Sequence, residues 1–290
     1  MIGIICETGT NIPDSMLQRF QIRKIPLRII LDDIEYRDDG IEIKEEELLA
    51  YMQHGLPKTS LPFYDDIVHC FEEMIFEGFT EILAINLSGE LSGTYNSFQM
   101  VAKKIMKQYP NVEIAVFDSL TVSIGTGMVV YKAASLIEEN PQIKLNELMD
   151  QLKSMYQSKI QVLFVIPSLK FLMAGGRIGK VMGTIGEILQ FKPILTISND
   201  GKVHQAGKEM GFNRAIDKII DLAKQFISNQ KVEVMCIYHS GKDPKTIECT
   251  KRIQNELSIY DVPQIFTGTI SSALLVHAGP GLVGLGILVE

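Results

Sequence analysis

The chain has no dense run of Lys or Arg, and its formal net charge is −7 over 290 residues. A nucleic-acid binder needs a basic stripe, so that function class is set aside, and no nucleic-acid partner is expected. No apolar run is long enough to cross a bilayer, and stable membrane insertion is not expected. Cysteine is scarce. Cys6, Cys70, Cys236 and Cys249 stand far apart and form no CxxC pair or metal-ligand spacing. No metal and no cofactor are therefore expected. Cys6 and Cys236 each fall in an apolar, strand-like run, as buried thiols do. The first residues, MIGIICETGT, lack a basic leader and a cleavage site, and read as a strand. The expected compartment is the cytoplasm, with reduced thiols. Two catalytic signatures are also missing: no serine sits in Gly-x-Ser-x-Gly, and GxxxxGK[ST] is absent.

What remains is a globular composition, 46% apolar and 22% charged. Ile2–Cys6, Thr80–Asn86, Asn111–Phe117 and Gln161–Ile166 read as buried strands. Amphipathic segments separate them. The order β-α-β-α-β-α-β predicts a parallel sheet with flanking helices over the first ~165 residues. Ile22–Tyr36 alternates, holds Pro26 and reads as a small surface hairpin within a β excursion over about 22–40. Past Pro167 the pattern changes to α+β with a mixed sheet, including a hairpin turned at Asn199-Asp-Gly201. We place a boundary there. An N-terminal α/β domain over 1–166 meets a C-terminal α+β domain over 167–290.

The stretch Leu83–Ala102 organises the site. It runs from a strand through Ser88, Gly89, Ser92, Gly93 and Thr94 into a helix. The carboxyl edge of an open sheet is where ligands bind, and the free N–H groups of a helix start favour an anion. The bland alternative is a helix start capped by Ser92. A second hydroxyl pair, Thr59-Ser60, lies between Pro57 and Pro62, where Ser60 is also an N-cap candidate for the helix Tyr64–Glu77. His277, in His-Ala-Gly-Pro-Gly, can donate to an anion or sit as a core histidine. Arg177, in Gly-Gly-Arg-Ile-Gly with Lys180 beside it, suits a phosphate or a partner's carboxylates as well as solvent. Asp118-Ser119 ends a strand and caps the next segment of chain. Gly125-x-Gly127 is better explained by close helix packing than by a dinucleotide fingerprint, because position 130 is Val. Glycine-spaced apolar stretches, Met182–Leu189 and Gly281–Val289, and many Met and Phe residues add apolar lining. Hydroxyl donors before an apolar wall fit an amphiphile better than a sugar phosphate.

These motifs together resemble the DegV family, the fatty-acid-binding subunits of bacterial fatty acid kinase. The marks are Lys58-Thr-Ser-Leu-Pro62, Leu87-Ser-Gly-Glu-Leu-Ser-Gly-Thr-Tyr95, Phe117-Asp-Ser119, Gly175-Gly-Arg-Ile178, Lys192-Pro-Ile-Leu195 and His277-Ala-Gly-Pro-Gly281, spread over essentially the whole chain. The resemblance implies a two-domain DegV-like fold with a long-chain fatty acid buried between the domains. It implies that Thr59, Ser60, Ser92 and Gly93, with His277, hold the acyl carboxylate. It also implies that the protein has no catalysis of its own and presents the acid to an ATP-dependent kinase subunit, which makes acyl phosphate for phospholipid synthesis. Arg177 is then a contact for that kinase. Two departures stand out. Glu7-Thr8-Gly9 replaces the usual Thr-Asp-Ser, and Met210 stands where the family carries Arg. The alternative function is a hydrolase using Ser92 and His277, or a phosphate-handling transferase.

Overall fold

The computed structural model describes residues 2–179, 181 and 191–290. Lys180 and the apolar stretch Met182–Leu189 lie outside the described residues. The first half contains β1 (Ile2–Glu7), α1 (Asp14–Arg19), β2 (Arg23–Ile25), β3 (Arg28–Leu31), β4 (Ile34–Arg37), α2 (Glu45–Tyr51) and β5 (Lys58–Ser60). It continues with α3 (Tyr64–Phe76), β6 (Glu81–Asn86), α4 (Thr94–Gln108), β7 (Glu113–Asp118), α5 (Ile124–Glu139), α6 (Leu145–Lys159) and β8 (Ile160–Val165). The second half contains α7 (Lys170–Ala174), β9 (Phe191–Ile197), β10 (Val203–Met210), α8 (Phe212–Ile227) and β11 (Val232–His239). It ends with α9 (Pro244–Leu257), β12 (Gln264–Thr269), α10 (Ser272–Ala278) and β13 (Val283–Val289).

Three sheets result. The first is fully parallel, in the order β2-β1-β6-β7. The second is mixed, in the order β10-β9-β8-β13-β11-β12, with only β11 and β12 parallel. The third is a small antiparallel sheet, β4-β3-β5. The mixed α/β class expected from the sequence is the class observed.

Several local expectations change. The run 161–166 does not close the parallel sheet. Strand β8 lies in the second sheet, antiparallel to both β9 and β13. A strand buried on both faces carries the same apolar signature whichever sheet it joins. The segment 22–36 is a hairpin only from Arg28 onward, turned at Asp32 and Asp33, both with positive φ. Before it, β2 joins the parallel sheet beside β1. Helix α5 begins at Ile124, so Gly125 and Gly127 lie in its first turn.

Helix α5 explains how the sheets meet. It packs against β1 and β6 on one side and against β8, β11 and β13 on the other. Met128, Val129, Val130 and Ala133 are accordingly buried around the whole helix, as expected of a helix that is apolar on every side. The Gly125-x-Gly127 spacing lets it approach. A Cβ on Gly127 would stand 2.6 Å from the Thr10 carbonyl oxygen, and one on Gly125 2.8 Å from Val162. Helices α3 and α4 cover the far face of the parallel sheet through Ile67, Phe71 and Phe98, and α8 and α9 cover the far face of the mixed sheet through Ile216, Ile219 and Ile253. All four cysteines are unpaired, with Cys6 and Cys236 buried in β1 and β11. No described helix is long and apolar enough to cross a membrane.

Candidate functional site

The carboxyl end of the parallel sheet faces the inner surface of the mixed sheet across a cavity of about 340 Å³, a size within the range of small-molecule sites. Its apolar wall comes from both sides: Leu27, Leu87 and Leu91 from the first half, and Val162, Phe164, Ile197, Val203 and Leu274 from the second sheet and α10. Thr59, Ser60, Ser92, Gly93, Arg177 and His277 all line it as well. Six residues spread over more than two hundred positions of sequence are thus brought to one cavity.

Each is positioned by a specific piece of backbone. Strand β5 pairs with β3 so that Thr59 stands opposite Ile29 and Ser60 opposite Arg28. Ser60 does not cap α3. The residue preceding that helix is Phe63, which gives no side-chain cap, and the Ser60 hydroxyl accepts from Arg28 Nη2 at 3.0 Å. Arg28 also lies over the Phe63 ring, 4.4 Å from its centroid. The reason is the three-residue gap Leu61-Pro62-Phe63, which carries Ser60 too far from the helix to reach its free amides.

The loop from Leu87 to Gly93 is pinned at several points. Ser88 N–H donates to the Thr121 carbonyl at 2.7 Å, and the Ser88 hydroxyl donates to the Gly201 carbonyl at 2.8 Å. Gly201 is at φ +73, and a Cβ there would collide with the Ser88 oxygen at 2.3 Å, so the Asn199–Gly201 turn is built to lie on this loop. Asp118 accepts from the amides of Gly89 (3.2 Å) and Leu120 (2.9 Å). Its role is the capping one. Ser92 Oγ meets Thr94 Oγ1 at 2.8 Å and accepts the Thr94 amide at 3.3 Å. Ser88 and Thr94 are fully buried, so Ser92 is the loop hydroxyl that borders the cavity.

His277, near the end of α10, meets Thr59 Oγ1 through Nε2 at 2.7 Å. Its Nδ1 is sealed from solvent and has no partner among the described residues. A Cβ on Gly175 would stand 2.2 Å from that nitrogen. The first glycine of Gly175-Gly-Arg177 is therefore required by the imidazole lying against it, a contact between residues a hundred positions apart that no sequence pattern announces. Burial, and then the Arg177 charge, push the His277 pKa down to about 4, so the ring is neutral at neutral pH. A depressed folded-state value contributes stability that is present above pH 6.5 and lost as pH falls through about 4. Arg177 is half-buried in the cavity wall. Its Nε donates to the Leu91 carbonyl at 3.1 Å and Nη1 to the Gly175 carbonyl.

The site therefore offers neutral hydroxyls, a neutral imidazole and one guanidinium at the foot of an apolar cavity. Such a set suits an anionic head on an apolar body. It does not assemble a nucleophilic relay. Ser92 pairs with Thr94, His277 pairs with Thr59 and has no acid on Nδ1 among the described residues, and Asp118 binds backbone amides. Among the described residues no group of three or more His, Cys, Asp or Glu could hold a metal ion.

Comparison with known proteins gives the family and the fold. A family model described as "Uncharacterised protein, DegV family" matches residues 1–290. A DegV domain-containing protein of Clostridium acetobutylicum is 30% identical over 286 residues, covering 99% of this chain and 98% of that protein. The structure of a DegV family protein from Thermus thermophilus, described in terms of fatty acid binding, superposes with a TM-score of 0.89 at 26% identity, covering 100% of this chain and 99% of that one. DegV from Bacillus subtilis, described as a fatty acid binding protein, shares the fold with a TM-score of 0.86 at 24% identity, covering 100% of this chain and 99% of that one.

Proposed function

This chain belongs to the DegV family, and from that premise we propose that it binds a long-chain fatty acid in the cavity between its two sheets. The observation that carries the reading is the cavity itself, apolar over most of its wall and lined at the Thr59–His277 contact by hydroxyls and Arg177. The fatty-acid binding described for the Thermus thermophilus protein, which this chain covers almost end to end, supports it. Burying an alkyl chain yields about 0.8 kcal/mol per methylene, so the tail supplies most of the affinity and the head group sets the orientation. The acid lies between two lobes, 1–166 and 167–290, with β8 reaching across to the second sheet.

In this reading Thr59, Ser60, Ser92 and Gly93 hold the carboxylate with His277, and Arg177 supplies a positive charge beside it. The protein has no chemistry of its own. It presents the carboxylate to a separate ATP-dependent kinase, which forms acyl phosphate for phospholipid synthesis in the cytoplasm, and Arg177 borders the end of the cavity where that partner arrives. The hydrolase alternative needs Ser92 on His277, whereas Ser92 meets Thr94 and His277 meets Thr59. Isothermal titration with palmitate tests the head-group assignment. Ser92→Ala lowers affinity roughly tenfold, the scale of one hydrogen bond to a charged group. Unchanged affinity removes Ser92 from the site.

A further inference from the structure

The first loop, where this chain departs from its family, carries a buried acid that the binding reading leaves unused. Glu7 closes β1, a central strand of the parallel sheet, and is 0% exposed. A carboxyl in such a place is costly unless its bonds offset the loss of water. Its Oε1 accepts the Leu87 amide at 2.9 Å, and the Gly9 amide also faces it. Oε2 has no partner among the described residues. Across the β1–β6 ladder Ile5 pairs with Ala84. Asn86 ends β6, the strand beside β1. The Asn86 side chain, fully buried, has no partner among the described residues on either its nitrogen or its oxygen.

The environment of Glu7 holds few charges. Ile25 lies opposite on β2, and Cys6 adjoins it on β1, with its thiol pushed up to about 12 by burial. Asp38, itself buried, is the charged neighbour from the segment after β4. Among the described residues no cation compensates, and burial raises the Glu7 pKa to about 7. The firm attachment of this acid is the first amide of the loop that ends in Ser92 and Gly93.

We propose that Glu7 is a positioning residue for the head-group site, fixing the Leu87 amide and through it the placement of Ser92 and Gly93 relative to His277 and Arg177. The proposal rests on the fatty-acid reading and adds to it a residue outside the cavity wall. A loop shifted by the loss of this anchor still borders an apolar cavity. Its loss therefore weakens recognition of the carboxylate and spares recognition of the tail.

The experiment measures the affinity of laurate and of dodecan-1-ol for wild type, Glu7→Gln and Glu7→Leu. Glu7→Gln keeps an oxygen acceptor for the Leu87 amide, and its acid-to-alcohol preference stays within about twofold of wild type. Glu7→Leu loses about tenfold of that preference, the scale of one hydrogen bond to a charged group, with the alcohol affinity unchanged. An unchanged preference in Glu7→Leu, or an equal loss for acid and alcohol, overturns the proposal. A second measurement needs no variant. In the unliganded wild type, the amide resonances of Leu87 and Gly93 shift together as pH passes through about 7, and a flat Gly93 resonance overturns the proposal even if Glu7→Leu does not fold. If wild type binds neither ligand while these amides titrate together, the fatty-acid reading falls and the Glu7 anchor stands. If laurate binds and Gly93 stays flat, the anchor falls and the reading stands.

Discussion

Gly284→Leu is expected to lower affinity for long-chain acids by about a hundredfold and to leave the melting temperature unchanged or raised. Gly284 sits in β13, at the middle of the mixed sheet, and borders the cavity. Its strand neighbours Val283 and Leu285 belong to the core on the opposite face, so a side chain added here points into the cavity. A Cβ at this position meets nothing closer than Leu282 at 3.5 Å and Phe164 at 3.7 Å, ordinary van der Waals contacts. The leucine then occupies space that about four methylenes of the ligand would fill. At about 0.8 kcal/mol each the loss is about 3 kcal/mol, or roughly two powers of ten. Glycine weakens a strand interior, so its removal does not cost the fold. Gly286→Leu is the control. There a Cβ would stand 2.9 Å from Ile124 Cδ1 and 3.0 Å from Met128 Cε, and overpacking of this kind lowers stability by about 1–3 kcal/mol. Titration with palmitate and thermal unfolding of both variants separate a filled cavity from a strained core. Retained affinity in a folded Gly284→Leu would remove the tail from this cavity.

The second large effect is expected at Gly175. Alanine there places a methyl group 2.2 Å from His277 Nδ1 and 2.9 Å from its Cε1. Neither the α7 backbone nor a buried ring can absorb such an overlap in place, so the imidazole leaves Thr59. The 2.7 Å contact is lost, and a head-group hydroxyl is left without its partner. The expected loss of affinity is about 2–3 kcal/mol, roughly thirtyfold to a hundred-and-fiftyfold. Gly176 beside it discriminates. It is at φ +72 with open space around its Cα, so Gly176→Ala costs about 1–2 kcal/mol of stability through the backbone and leaves affinity unchanged. A Gly175→Ala protein that binds palmitate as wild type does would show that His277 plays no part in holding the head group.

The two variants also mark where sequence reading reaches its limit. Period and punctuation identify strands, helices and turns well in this chain, because its strands are continuous apolar runs bounded by Gly, Asn and Pro. The strand-to-helix loop Ser88–Thr94, the hydroxyl pair at Thr59 and the glycine-flanked His277 are each visible as local departures from that pattern. Sheet membership is different. Strand β8 carries the same apolar signature as β1 or β6, and only its partners β9 and β13 place it in the mixed sheet. Contacts between distant side chains are equally silent. Nothing in Gly175-Gly-Arg177 states that an imidazole lies on the first glycine, and nothing in Ile5-Cys-Glu7 states that the acid reaches the Leu87 amide. Ser60 shows the opposite error. Its residue type and position fit a helix cap, yet β-pairing with Arg28 holds it elsewhere. Gly125-x-Gly127, read as packing, is packing against Thr10 and Val162.

Carriage of a long-chain fatty acid in the cavity between the two sheets is the proposition on which the rest depends. Native mass spectrometry of the protein after gentle purification reads it out without any variant. The expected result is a mass increment equal to a long-chain acid, released on denaturation and displaced by added palmitate. Repeated spectra at the mass of the bare chain, before and after incubation with palmitate, would contradict it.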